Sequence, residues 1–318
     1  MLQRAAIIDL GTNTFHMLVI EWEGNQYKVL DKLQIPVKLG KGAFQDGEIK
    51  PEAYSRGIAA LIEFKSLLNS YNITKVEVYG TSALRNAKNA TGFLHEAELQ
   101  LGTPVNVIDG NREAELIYCG VKRAVPMDEE PHLIMDIGGG SVEFIIADSK
   151  HIFWKKSYEI GAARLIERFN DGDPISEKSI TDLEAYLEKE LSMLWIKAAK
   201  YQVRTLIGAS GSFETLAAME MEVFHSAKQA NHFLHHILQL SLFDKIYNKL
   251  ISSTQAQIAQ IPGMPPFRVE MIGVAVIMIN FVIKKLKIKK LIASDYALKE
   301  GVMFSLMNEH EVNWQISK

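Results

Sequence analysis

An α/β fold made of two like halves facing each other across a cleft is the architecture this sequence predicts, on three observations. The order of apolar segments runs three strands and then alternating helix and strand, and it does so twice. Both runs open on the same phrase, apolar-Asp-apolar-Gly followed by small or hydroxyl residues, at Ile8-Asp9-Leu10-Gly11-Thr12-Asn13-Thr14 and Met135-Asp136-Ile137-Gly138-Gly139-Gly140-Ser141. The length, 318 residues, suits about two domains that each bury a core.

Strands are expected at 5–10, 15–22 and 27–33, the third after the Gly24-Asn25 turn. Pro51, permitted in a first helical turn, opens a helix to Leu68 with Leu61, Phe64, Leu67 and Leu68 on one face. A strand at 75–79, a helix to about 101, a strand at 105–108 and a helix at 111–124 complete the first half. The second half begins with strands at 133–137, 142–147 and 152–158. A helical insertion to about 200, a strand at 203–207, helices at 213–219 and about 228–250, an apolar helix at 271–283, a strand at 289–293 and a last helix follow. The antiparallel openings make each sheet mixed, with helices on its faces. The expected domains are 1–125 and 131–295, hinged at 126–131 where Met127-Asp128-Glu129-Glu130 interrupts the periodicity, with the helix at about 296–318 free to pack back on the first. The apolar run 271–283 falls short of the ~20 residues of a spanning helix and reads as core.

Hydrophobic residues at 47%, charged residues at 23% and a net charge of −3 exclude a collagen, a disulfide scaffold and a mostly disordered chain. The same charge balance argues against a partner held by counterion release over the whole surface, so no nucleic acid is expected. The single cysteine, Cys119, lies in apolar Leu-Ile-Tyr-Cys-Gly, and Asp9 ends the first apolar run too early for a signal peptide. A cytoplasmic protein with no membrane segment is the expectation, and a homodimer stays open.

Each Asp-x-Gly segment places an aspartate at the end of an apolar strand that would not otherwise tolerate it, before a turn whose N–H groups can converge on phosphate oxygens. The pair suggests a phosphate clamp closed from two sides: Gly11, Thr12, Asn13 and Thr14 from one, Gly138, Gly139, Gly140 and Ser141 from the other. Magnesium is the expected cation, held on Asp136 and Glu143 with Asp9 nearby, because it takes few carboxylates and prefers phosphate oxygens. Glu143 follows Asp136 by seven residues and shares a strand face with Ser141. Ser210 and Gly211, in Gly208-Ala209-Ser210-Gly211-Ser212 between a strand and a helix, form another anion turn. Arg85 follows a strand at the start of a helix, where a cation opposes the dipole, so a phosphate contact is expected of it. Glu113 near a helix N-terminus has a capping explanation as well as a catalytic one. His225, His232, His235 and His236 lack the glutamate of a zinc-protease pattern and read as a polar helix face. The cluster Lys284, Lys285, Lys287, Lys289 and Lys290 reads mainly as dipole complement and solvation.

Ile-Asp-Leu-Gly-Thr-Asn-Thr-Phe-His, Gly-Thr-Ser-Ala-Leu-Arg, Ile-Asp-Gly-Asn-Arg-Glu-Ala, Met-Asp-Ile-Gly-Gly-Gly-Ser-Val-Glu and Gly-Ala-Ser-Gly-Ser, in that order from Ala5 to about Gly301, together resemble the exopolyphosphatase and guanosine pentaphosphate phosphatase family. The resemblance implies an actin-like fold of two ribonuclease-H-like domains and hydrolysis of a terminal phosphoanhydride in polyphosphate or a phosphorylated guanine nucleotide. It carries the catalytic glutamate onto Glu113, the phosphate-binding arginine onto Arg85 and the second-loop acids onto Asp136 and Glu143. Arg112 replaces a commonly acidic residue, Tyr296 stands at a usual glycine, and the extra C-terminal domain of longer members is not matched. An actin-like kinase or ATPase and a non-catalytic nucleotide sensor are the alternative readings of the same clamp.

Overall fold

The computed structural model describes residues 2–44, 46–169, 171–224 and 234–307. The first half runs β1 (Gln3–Leu10), β2 (Thr14–Glu23), β3 (Gln26–Pro36), α1 (Pro51–Ser70), β4 (Lys75–Gly80), α2 (Ser82–Asn86), α3 (Ala90–Leu101), β5 (Val105–Val107) and α4 (Gly110–Ala124). The second begins with β6 (His132–Ile137), β7 (Val142–Ala147), β8 (Ile152–Tyr158), α5 (Ala162–Phe169), α6 (Glu177–Glu190) and α7 (Ser192–Lys200). It continues through β9 (Thr205–Ala209), α8 (Gly211–Phe224), β10 (His235–Leu238), α9 (Leu240–Ile251), α10 (Gln255–Ile258), α11 (Val269–Leu286), β11 (Lys290–Ser294) and α12 (Leu298–Met307).

The strand orders are β3-β2-β1-β4-β5 and β10-β11-β9-β6-β7-β8. In each sheet the Asp-bearing strand is central, antiparallel to the next strand in the chain and parallel to the one that returns after a helix. A strand in that position is apolar on both faces, as β1 is: Ala6, Ile8 and Leu10 pack outward with α1 and α3, while Ala5 and Ile7 pack inward. The inward faces of both sheets enclose α4 and α12 in one cluster. The outer face of the second sheet is covered by α5, α6, α7, α8, α9 and α11. This layering, with two like sheets around a shared middle pair of helices, is the actin-like arrangement that the resemblance implies.

The middle helices approach closely because two glycines allow it. A Cβ at Gly120 of α4 would lie 2.1 Å from the Ala297 carbonyl oxygen, and one at Gly301 of α12 would lie 1.8 Å from that of Leu116. Each flanking Leu116, Ile117 or Val302 side chain buried there contributes about 1.5–3 kcal/mol.

Three expectations are corrected. The helix expected at about 228–250 begins only at Leu240, and His235 and His236 lie on β10, paired antiparallel with β11. The polar-helix reading therefore fails for them, while His225 and His232 lie outside the described residues. The helix expected to reach 101 is two helices, α2 and α3, and α2 is a single turn of five residues with Arg85 at its end. The dipole argument for Arg85 therefore fails, because no first turn of a long helix exists there. The apolar run near 271–283 is longer than expected: α11 has 18 residues, long and apolar enough to cross a membrane by length and composition only, and the expected core position holds, since most of it is buried in the second half.

Candidate active site

The two Asp-led turns are built alike, and the sequence after each explains how. In the first turn the Thr12 carbonyl accepts from the Gly40 N–H at 2.9 Å, and the Asn13 carbonyl accepts from those of Val37 and Lys38 at 3.0 and 2.7 Å. In the second, the carbonyls of Gly138, Gly139 and Gly140 accept from Ala162, Ala163 and Gly161 at 2.9, 2.9 and 3.2 Å. A segment downstream of each hairpin thus ties the turn's oxygens back. Among the described residues the N–H groups of Thr12, Asn13, Gly139 and Gly140 have no backbone acceptor. Such a pair of amide-lined turns is suited to an anion.

Glycine is required where the turns meet. A Cβ on Gly139 would stand 3.1 Å from the Cβ atoms of Thr12 and Asn13, one on Gly140 would stand 2.5 Å from Ser82 Oγ, and one on Gly161 would be 2.4 Å from the Gly139 backbone. One cleft is lined by Asp9, Gly11, Thr12, Asn13, Thr14, Glu113, Asp136, Gly138, Gly139, Gly140, Ser141, Glu143, Ser210 and Gly211. Every predicted site residue except Arg85 is on that wall.

Arg85 stands one step behind it. Its Nη1 donates to the Ile108 carbonyl at 2.8 Å and to Glu113 Oε2 at 3.0 Å, and its Nη2 donates to Glu159 Oε1 at 3.5 Å. Glu113 lies in the first turn of α4, but the cap there is Asp109, whose carboxylate accepts from the Asn111 and Arg112 N–H groups at 2.8 and 2.9 Å. Capping therefore does not explain Glu113. Its carboxyl is pushed well above the usual range by burial, then by the Glu143 charge, with Arg85 opposing.

Glu143 lies directly across the hairpin from Asp136 and accepts from Ser157 Oγ at 2.6 Å. Burial, with Asp136 adding to it, raises its carboxyl to about 8. Gly110 makes the approach of α4 to β8 feasible, since its Cβ would sit 2.3 Å from that of Ser157. Burial raises Asp136 as well, against the Ser210 hydroxyl, Lys299 and Arg268, and Ser210 takes a left-handed φ of 67° at the anion turn. Burial raises Asp9 to about 6, and its Oδ1 is buried with no hydrogen-bond partner among the described residues.

Five titratable cleft residues escaped sequence reasoning: His16, Glu214, Arg268, Asp295 and Lys299. Arg268 is 8% exposed and lies against the Ser210-Gly211 turn, where a Cβ on Gly211 would meet its Nη2 at 1.6 Å. Lys299 is a cation in the first turn of α12, the dipole-opposing signal that was sought at Arg85. Its ammonium faces the charges of Asp9, Asp136 and Glu214. The two family departures turn away from the cleft: Arg112 pairs with Glu115 at 3.0 Å, and the Tyr296 hydroxyl meets that of Tyr27 at 2.5 Å.

A small hard cation fits this donor set. Asp9 Oδ1 is a buried oxygen with no hydrogen-bond partner among the described residues, and Asp136 and Glu143 are cross-strand partners. Among the described residues no three acid, histidine or cysteine side chains form a protein-only cage.

Known proteins resemble the chain over almost its whole length. A crystal structure of an exopolyphosphatase from Cytophaga hutchinsonii superposes with a TM-score of 0.93 at 37% identity, over 96% of this chain and 98% of that one. The Aquifex aeolicus Ppx/GppA family member superposes with a TM-score of 0.80 at 24% identity over 98% of this chain and 99% of that one, a likeness of fold. A curated Haemophilus influenzae protein named "Putative exopolyphosphatase" is 29% identical over 317 residues, 98% of this chain and 93% of its own. With residues 18–310 matching the family as a whole, the chain belongs to the Ppx/GppA phosphatase family.

Proposed function

We propose that this chain is a hydrolase that releases the terminal phosphate of inorganic polyphosphate, with guanosine pentaphosphate as a second substrate of the same chemistry. The observation that carries the reading is the pair of amide-lined turns facing each other across a cleft that also holds the buried, proton-avid Glu113. The turns and the Ser210-Gly211 segment hold the phosphates, and Arg85 moves onto the terminal phosphoryl group. Glu113 takes a proton from water as the water oxygen bonds to the terminal phosphorus. The bond from that phosphorus to the bridging oxygen breaks, and the shortened chain leaves with the electron pair. Magnesium would be held by Asp136 and Glu143 with Asp9 nearby, and bound there it would neutralise charge on the phosphate oxygens. The single buried thiol, Cys119, suits work in a reducing cytoplasm.

Phosphate release from polyphosphate, guanosine pentaphosphate and ATP, side by side with and without magnesium, tests this. Magnesium-dependent release from either of the first two supports hydrolysis. Transfer from ATP to an acceptor would make the protein a kinase, and tight binding with no release would make it a sensor. The basic cluster at 284–290 is partly committed, with Lys285 paired to Glu188 at 2.6 Å and Lys284 over the Tyr247 ring. A long positive track is therefore short of material, and the enzyme is proposed to favour short chains and to release distributively. A ladder of all intermediate lengths early in digestion of a long chain supports that; long chains passing straight to phosphate refute it.

A further inference from the structure

Glu159, just after β8, is held by donors from both halves of the molecule. Ser82 Oγ and Asn86 Nδ2 each reach its Oε2 at 2.9 Å, Arg164 Nη2 reaches the same oxygen at 2.5 Å, and Arg85 Nη2 reaches Oε1 at 3.5 Å. Three donors on one anionic oxygen, with a second guanidinium on its twin, is the coordination a phosphoryl group takes from a protein.

The donors do not depend on Glu159 for their places. Asn86 Nδ2 also donates to the Ser82 carbonyl at 2.9 Å, and Arg85 Nη1 is fixed by Ile108 and Glu113. Arg164 Nε donates to the Gly140 carbonyl at 2.7 Å, and its guanidinium lies over the Phe44 ring at 4.3 Å. The Glu159 side chain, by contrast, is 44% exposed and stands outside any helix or strand. Of the partners, the carboxylate is the one free to leave. The seat adjoins the cleft, because Ser82 lines the wall and Gly140 belongs to the second turn.

We propose that Ser82, Asn86 and Arg164 form an anion subsite for the phosphoryl group next to the one being cleaved, with Arg85 shared between the two groups through its Nη1 and Nη2, and that Glu159 is the internal occupant of that subsite, displaced when a phosphate chain enters. The proposal rests on the reading of the cleft given above. Displacing Glu159 frees Arg85 Nη2 at the moment the chain arrives. Because Glu159 competes for the seat, it also lowers affinity for chains and so sets KM.

The test is calorimetric binding of sodium tripolyphosphate, with magnesium present, to the Glu113→Gln protein and to the same protein carrying Glu159→Ala. Loss of the occupant is expected to tighten binding at least threefold, and adding Asn86→Ala is expected to erase the gain. A Kd that is unchanged or weaker upon Glu159→Ala overturns the proposal and makes the carboxylate a strut between the halves. Glu159→Gln, which keeps an acceptor oxygen for Ser82 and Asn86, replaces Glu159→Ala if that variant does not fold, with the same expectation. The two readings fail separately. Tighter binding in a protein whose wild type releases no phosphate leaves the subsite standing and removes the hydrolase, whereas release without tightening does the reverse.

Discussion

Seven residues after its aspartate the first hairpin carries His16, and seven residues after its aspartate the second carries Glu143. In each case that residue is the aspartate's cross-strand partner. The two hairpins share a scaffold, since each turn has its carbonyls tied back by a later segment. They differ in charge. Burial, with Lys299 and Arg268 nearby, holds the His16 imidazole well below its ordinary pKa and therefore neutral, so the first hairpin presents one carboxylate. The second sets two carboxylates directly opposite each other, an arrangement that destabilises a sheet. A local cost of that kind is expected at a functional site. On the proposed reading the duplication divides labour: both turns would hold phosphate, and the second would also hold the cation.

The variant expected to act most strongly lies between the hairpins. Glu113→Gln keeps the size and removes the base, and turnover is expected to fall by about 10²–10⁴ with binding of the phosphate chain retained. Stopped assays beside equilibrium binding check it, and near-normal turnover would remove Glu113 from the chemistry. The division of labour itself is tested by matched substitutions: Glu143→Gln should raise the magnesium concentration for half-maximal rate by about tenfold or more, while His16→Asn should leave that concentration within about twofold. Equal shifts from the two hairpins would erase the asymmetry.

Arg85→Ala should weaken binding and turnover, since a charge-assisted bond to phosphate is strongest in a partly desolvated cleft. It should also move the acidic limb of the pH–rate profile upward, because Arg85 is the charge that lowers the raised Glu113 carboxyl. A limb that stays in place would mean that Glu113 is not the titrating base. The smallest effect is on stability. Burial raises Asp9 from 3.8 to about 6, so the folded chain keeps a proton that the unfolded chain has lost across that interval. The stability from that proton is complete below about pH 4 and is lost as pH rises through 6. Asp9→Asn should therefore raise the Tm of the metal-free protein by about 2–4 °C at pH 8 and by much less at pH 4. Scanning calorimetry at the two pH values decides it.

The sheets were legible because hydrophobic period and the repeated Asp-x-Gly phrase depend on local sequence. The turn residues were legible for the same reason, and the structure brings them to one wall. Arg85 was placed by an argument that failed, since α2 is too short to have the dipole invoked. Its position follows instead from Ile108, Glu113 and Glu159, which lie 23 to 74 residues away along the chain. Lys299 carried the valid form of the same signal and was passed over. Arg268 and Glu159 gave no local sign, because a lone arginine before an apolar helix and an acid at a strand end are ordinary until the fold shows what surrounds them.

The crossing of α4 and α12 has a consequence for the order in which the protein is made. Glu113 is made early, but the helix that carries it is locked against Gly301, which follows it by 188 residues. A nascent chain can assemble its first sheet early, yet the base is not fixed in place until the C-terminal helix has docked. With Glu113 as the proposed base, a chain that stops before α12 would lack the contact that fixes α4 and so would lack a rigid active site.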